Sequence, residues 1–415
     1  MKKVFKSLGI FFILLFCFTN FTLTAHAAGP DINAKGCALL DATTGQLLYG
    51  KNEDQCFEPA STTKVLTALV VLENCALDEK VTVQENFTAI DGTAIGLLKG
   101  DQVTVKDLIL GLLMESGNDC ANALAYHVSG SIEGFAKLMN EKAKSLGATN
   151  ANFENPSGLP DTNHVVSPRN LALIMREAIN NKEFMELSQT PYATITLLND
   201  PSRAIVVNNK NYMINKNSKY YYKYAVTGKN GYTIRANHTY VACAEKDGHV
   251  LVASFLYATD KNQNFYDMQS VFNYGFDNFS FVSLYNKGDK VKDYEVNSGL
   301  TIPLIATKPI GYVVPKGNEK TASSELKIED KDLSKKSFEE GDIVLKGTLV
   351  VDGQECETVD LASGVSRKYE PPFSRESLAD KSNQPLYIAF AIGVTALIAG
   401  IAVFMKMKTR HKPKH

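Results

Sequence analysis

Glu58-Pro59-Ala60-Ser61-Thr62-Thr63-Lys64 is followed by an apolar run, Val65, Leu66, Ala68, Leu69, Val70 and Leu72, at helical spacing. The pattern predicts a helix starting near Ala60 and buried on most sides. On such a helix Ser61 and Lys64 stand at i and i+3 and share one face. A serine hydroxyl is a weak nucleophile until its proton is taken. A lysine can take it if burial lowers its pKa. The N-terminus of the helix adds backbone N–H groups able to hold an oxyanion. Taken alone the pair means little, because at about 7% for each residue type a chain of this length holds roughly two S-x-x-K matches by chance.

Working outward, short strands are expected at Cys37–Asp41 and Gln46–Tyr49, on either side of a turn at Ala42-Thr43-Thr44-Gly45. Thr104 to Glu115 reads as a helix with Thr104 and Asp107 spaced as a capping box. Ser116-Gly117-Asn118 follows, and Asp119 opens a further helix through Val128. Ser131 to Leu146 makes another helix, stopped by Gly147, and Ser167-Pro168 starts one reaching Ile179. Late in this half, Lys229-Asn230-Gly231-Tyr232-Thr233 precedes Thr239–Ala244 and Val250–Tyr257, joined through the hairpin signal Asp247-Gly248. Strands at both ends with helices between them predict an α+β domain, one mainly antiparallel sheet covered by helices.

The remaining chain divides by composition. From about Val282 the helical pattern stops, and Ile343–Val351, Asp352-Gly353 and Glu357–Leu361 predict a small all-β domain. The expected organisation is a signal peptide at 1–27, the α+β domain at 28–281, a β domain at 282–365, a linker at 366–385, a transmembrane helix at 386–405 and a basic tail at 406–415. Lys2, Lys3 and Lys6, the apolar run Leu8–Phe18 and the small-x-small Ala25-His26-Ala27 give the export signal, with cleavage after Ala27. Leu386 to Met405 is uncharged and long enough to cross a bilayer, and five basic residues from Lys406 to Lys414 follow it. Positive residues stay inside, which leaves the bulk of the chain outside.

Lys+Arg 44 against Asp+Glu 45 leaves a net charge of -1, so no nucleic-acid partner is expected. Six cysteines lie beyond the signal, with no C-x-x-C and no close-spaced framework, so most read as buried free thiols. No cofactor is implied, and no residue spacing suggests a metal site.

Three short motifs therefore stand in order: Ser61-x-x-Lys64, Ser116-x-Asn118 and Lys229-Asn230-Gly231. With Pro59–Lys64, Glu115–Asp119 and Asn155-Pro156-Ser157-Gly158-Leu159 around them, the chain resembles the penicillin-recognising serine acyl enzymes. It is most similar to the low-molecular-mass penicillin-binding proteins that act as D-alanyl-D-alanine carboxypeptidases. The resemblance covers roughly Ala34 to Asp277.

It implies peptidoglycan stem peptides ending in D-Ala-D-Ala as substrate and β-lactams as covalent inhibitors. It implies Ser61 as nucleophile, Lys64 as its base and Ser116 as a proton relay to the leaving amine. Asn118, Lys229, Asn230 and Gly231 would bind substrate, and the backbone N–H groups of Ser61 and Tyr232 would form the oxyanion hole.

One residue departs from the pattern. The third motif is usually K-T-G, and Asn230 stands where the threonine hydroxyl would meet the substrate carboxylate. Arg235 is a further candidate for that carboxylate, His164 reads as structural, and Tyr220-Tyr221-Tyr222 as packing or an aromatic loop facing glycan.

Rival readings are a DD-endopeptidase using the same residues, a weakly active or non-catalytic wall-binding protein, and a secreted β-lactamase. The last would need a deacylating carboxylate loop such as E-x-x-L-N, and Glu154-Asn155-Pro156-Ser157-Gly158 lacks its Leu and Asn.

Overall fold

The computed structural model describes residues 29–86, 90–297, 299–371 and 384–410. The expected signal peptide lies outside them, as do residues 372–383 of the linker and 411–415 of the tail. The chain divides into two compact units, residues 1–282 with 313–321, and residues 283–312 with 322–415.

In the first unit, five antiparallel strands run in the order Leu47–Lys51, Gly36–Asp41, His249–Ala258, Asn237–Lys246, Ala225–Thr233. The two ends of the domain sequence thus meet in the middle of the sheet, where Cys37 pairs with Phe255 and Leu39 with Ala253. Alternation assigns the faces. Ala38, Leu40, Val241, Cys243, Val252 and Leu256 pack with the helices Lys64–Asn74, Asn118–Ser129, Ile132–Ser145 and Pro168–Ala178. Cys37, Leu39, Tyr240, Ala242, Leu251 and Phe255 join a second core on the opposite face. Burial on both faces explains why the two central strands are almost continuously apolar.

That second core is closed by the helix Lys261–Asn278, through Phe265, Met268, Phe272 and Phe276. The helix is not among the expected elements, although those residues recur at spacings of three and four and Asp260 caps it through the amides of Asn262 and Gln263. Its Asn- and Gln-rich outer side dilutes the signal. The hairpin Tyr192–Thr196 with Ala204–Asn208 is likewise unexpected, being five residues per strand with every second residue exposed.

Three expected elements take a different local form. The segment expected as one helix from Ala60 opens as a 3-10 turn, Ala60–Thr63, and becomes α-helical only at Lys64. The expected Thr104–Glu115 helix is α-helical from Val105 to Leu110 and widens to a π-turn over Gly111–Glu115. Gly111 lies against Cys120, whose Sγ would be 2.6 Å from a Cβ added there. The next helix begins at Asn118, one residue before the expected Asp119.

The second unit holds a five-stranded antiparallel sheet in the order Lys290–Asn297, Leu300–Ala306, Gln354–Ser363, Ile343–Val351, Ser324–Ile328. Ile302, Leu304, Leu349, Val359 and Leu361 are fully buried in it. Asp352-Gly353 turns its long hairpin with φ of 49° and 81°, and Asp247-Gly248 does the same in the first unit at 54° and 80°. Both residues of each pair are left-handed, which is what a two-residue hairpin turn requires. Gln384–Arg410 is a helix, and its 23-residue stretch Gln384–Lys406 is long and apolar enough to cross a membrane.

Candidate active site

The 3-10 turn presents Ser61 half-exposed at the floor of a cleft of about 420 Å³, while Lys64, first residue of the following helix, is fully buried. Ala60, immediately before the serine, is held at φ 49°, a conformation costly for a residue with a Cβ and characteristic of functional sites. The Lys64 amine lies 3.1 Å from Ser61 Oγ. It also donates to Asn118 Oδ1 at 2.7 Å and to the Ser157 carbonyl at 2.6 Å. Burial holds its pKa well below that of a free lysine, and the nearby charge of Lys229 pushes the same way.

This geometry has a chemical meaning. A neutral amine has two N–H donors and one lone pair. The two acceptors take the two hydrogens, so the lone pair is left facing the Ser61 hydroxyl.

Asn118 is itself tightly held. Its Nδ2 donates to the Asp91 carbonyl at 2.6 Å, and its amide donates to the Thr93 carbonyl at 2.7 Å. Asp119, next to it and buried, accepts from the amides of Ile95, Gly96 and Leu97 at 2.9–3.1 Å. Sequence reasoning does not find Asp119 because its partners are a loop more than twenty residues away.

Ser116 ends the π-turn at φ 65°, and its Oγ lies 3.2 Å from Lys229 Nζ. Lys229, on the edge strand Ala225–Thr233, also donates to the Asn230 carbonyl at 2.8 Å. Burial, and then the charge of Lys210, lower its pKa to about 7. Lys210, 2.5 Å from Glu115, is a second basic residue of the cleft that no motif announces. Ser61, Lys64 and Asn118 thus form one bonded set and Ser116 with Lys229 another, and Ser61, Ser116 and Lys229 line the same cleft. Asn230, Gly231 and Tyr232 line the cleft beside them.

Gly231 approaches the nucleophile so closely that an added Cβ would lie 2.6 Å from the Ser61 amide nitrogen. Arg235, half-exposed, pairs with Glu58 at 2.5 Å and is not among the residues lining this cleft. Tyr220 and Tyr222 are buried in the second core, leaving only Tyr221 exposed of the three.

The loop 155–159 reaches Lys64 directly. Asn155 Oδ1 accepts from the amides of Ser157, Gly158 and Leu159 at 2.8–3.2 Å, which turns the Ser157 carbonyl onto Lys64. Sequence patterning cannot find a backbone ligand of this kind.

His164 braces the same region from behind. Its Nδ1 accepts from the Glu154 amide at 3.2 Å, so the proton sits on Nε2 and is donated to Thr63 Oγ1 at 2.9 Å. Burial lowers its pKa from 6.5 to about 4. The unfolded chain therefore binds a proton first, and stability falls as pH drops from 6.5 through 4. Replacing His164 by Gln should cost about 3 kcal/mol less near pH 4 than near pH 7, one pKa unit being about 1.4 kcal/mol. Urea denaturation at the two pH values reads this, and an equal cost at both would refute it.

Residues 22–259 match the family model described as D-alanyl-D-alanine carboxypeptidase. Residues 279–369 match penicillin-binding protein 5, C-terminal domain. The D-alanyl-D-alanine carboxypeptidase DacF of Bacillus subtilis is 30% identical over 324 residues, 75% of this chain and 81% of that protein. The crystal structure of penicillin-binding protein 5 from Haemophilus influenzae matches 82% of this chain and 99% of its own at 25% identity, with TM-score 0.64. A D-alanyl-D-alanine carboxypeptidase structure from Mycobacterium tuberculosis matches 61% of this chain and 95% of its own at 30% identity and TM-score 0.57. The first unit carries the penicillin-binding-protein catalytic fold and the second its C-terminal β domain. With a catalytic-domain model spanning more than half its length, this chain belongs to the D-alanyl-D-alanine carboxypeptidase family of serine-type peptidases.

Proposed function

We propose that this protein removes the terminal D-Ala from peptidoglycan stem peptides through an acyl-enzyme on Ser61, and that β-lactams trap it at that step. The observation that carries the reading is the fully buried Lys64 amine, 3.1 Å from Ser61 Oγ and held by the Asn118 and Ser157 oxygens, with burial favouring its neutral form.

Ser61 Oγ attacks the carbonyl carbon of the penultimate D-Ala as Lys64 takes the hydroxyl proton. The developing oxyanion is held by the Ser61 and Tyr232 amides. The tetrahedral adduct collapses, the peptide bond breaks, and the leaving amine receives a proton by way of Ser116. Water then attacks the ester, again with Lys64 as base, releasing the shortened peptide and free Ser61.

Lys229 supplies positive charge for the terminal carboxylate and helps keep Lys64 neutral. Asn118 offers its amide to Lys64 and to a substrate peptide group, and Gly231 lets substrate backbone lie along the strand edge beside the nucleophile.

In this reading residues 1–27 direct export, 28–281 form the catalytic domain, and 282–365 a β domain. Residues 366–385 link that domain to an anchor at 386–405, and 406–415 stay in the cytoplasm. The anchor rests on the apolar helical stretch Gln384–Lys406.

Mass spectrometry of the penicillin-treated chain is the direct test. A penicilloyl adduct on the Ser61 peptide, lost in Ser61→Ala, supports the reading, and no adduct or one elsewhere removes it. Release of free D-Ala from a defined stem peptide, with cross-linked muropeptides left intact, separates carboxypeptidase from endopeptidase.

Asn230 gives a quantitative expectation. Replacing it by Thr restores a short hydroxyl at the carboxylate end of the cleft and should raise kcat/KM roughly 10- to 100-fold, since a hydrogen bond to a charged group is worth about 1.5–3 kcal/mol. No change would show that the Asn amide already makes that contact.

A further inference from the structure

We propose that Cys75, Glu79 and His127 form a binding site for one zinc-class cation. Cys75 Sγ, a Glu79 carboxylate oxygen and a ring nitrogen of His127 all lie within 4.8 Å of one another. Cys75 and Glu79 are four residues apart, but His127 lies 48 positions beyond Glu79, so no ligand spacing announces the set.

The donor set is specific in kind. Thiolate, imidazole and carboxylate together suit Zn²⁺, whereas Ca²⁺ and Mg²⁺ take oxygen ligands. One thiolate and one carboxylate also balance the charge of a divalent ion.

The segment carrying two of the ligands is held in place by its backbone. Cys75 N–H donates to Val71 O at 2.9 Å, and Val105 N–H donates to Glu79 O at 2.9 Å. Glu79 Oε1 accepts from the Ala76 amide at 2.6 Å, which fixes the carboxylate and leaves Oε2 facing His127 Nε2 at 3.2 Å. The Glu79 and His127 side chains are 43% and 25% exposed, so an ion can enter and water can complete four-coordination.

The position gives the site a consequence. Cys75 ends the helix Lys64–Asn74, and His127 lies in the last turn of the helix Asn118–Ser129. The opposite ends of these two helices carry Lys64 and Asn118, bonded to each other at 2.7 Å. A cation between Cys75 and His127 would clamp the helix pair at the end away from the cleft. A plain His–Glu ion pair with an idle thiol beside it predicts instead no metal uptake and no dependence on the cysteine.

The test titrates the full chain in detergent with Co²⁺ alone, then with Zn²⁺ as competitor. Expected are one equivalent of Co²⁺ with a thiolate-to-cobalt charge-transfer band, its displacement by Zn²⁺, and loss of the band in Cys75→Ser and His127→Ala. Affinity should fall by more than the roughly 10–100-fold that loss of an outer-shell partner costs. Penicillin labelling of both variants checks that they are folded. A second measurement needs no variant: Zn²⁺ should protect Cys75 of the wild-type chain from alkylation, read by mass spectrometry. No stoichiometric uptake, a band unchanged in Cys75→Ser, or Cys75 alkylation unaffected by Zn²⁺ would overturn the site.

Discussion

Lys64→Met should lower the rate of penicillin acylation by about 10²–10⁴-fold, the range a positioned general base contributes. Methionine keeps the length of the side chain in a fully buried slot but supplies no proton acceptor of comparable strength. Its cost to the fold is offset in part. Asn118 Oδ1 and the Ser157 carbonyl lose their donor, about 1–3 kcal/mol each if left unsatisfied, while the burial of an amine that opposes its own protonation is relieved. Lys64→Arg should be at least as inactive, because a guanidinium stays protonated and offers no lone pair. Stopped-flow acylation with a fluorescent penicillin gives the rate. A Lys64→Met enzyme within tenfold of wild type would remove Lys64 from the base role, even if Ser61 remained the acylated residue.

Gly158→Ala should destabilise the fold by about 3 kcal/mol or more and slow acylation as well. Gly158 sits at φ 82°, and an added Cβ would fall 1.8 Å from Ala60 O and 2.4 Å from Ala60 C. Both are backbone atoms of the turn that carries Ser61, so no rotamer change relieves the clash. The added strain combines an unfavourable φ with overpacking, each worth about 1–3 kcal/mol. Moving the loop aside would also draw the Ser157 carbonyl from Lys64, freeing one N–H and turning the lone pair from Ser61.

Gly147→Ala is the control. It has a similar φ of 76° and nothing within 4 Å of its added Cβ, so only the conformational cost of about 1–2 kcal/mol applies. Urea denaturation of the two variants side by side should separate them clearly. Equal losses would mean that the contact with Ala60 does not constrain the loop.

Much of this molecule is written in short-range pattern. The helix starts at Ser131 and Ser167 are visible because the capping hydroxyl, and Pro168 at N1 after Ser167, act on residues next to them. The hairpins at Asp247-Gly248 and Asp352-Gly353 are visible because only certain residues tolerate two successive left-handed conformations. The candidate nucleophile and base were legible for the same reason, since three residues along one helical turn decide whether two side chains share a face.

What the sequence by itself determined is the set of turns, caps and apolar stripes, with the order of the three motifs along the chain. Only the tertiary structure decided what surrounds Lys64, because Asn118 and Ser157 approach from 54 and 93 residues away and one of them does so through its backbone. It likewise decided that the Thr104 helix widens into a π-turn before Ser116, and that a polar-looking segment after Asp260 packs as the helix Lys261–Asn278 against the far face of the sheet. A caps-and-periodicity reading sees energies that act within about four residues. Desolvation of an amine, closure of a core and the strain at Ala60 come from neighbours that chain order does not reveal.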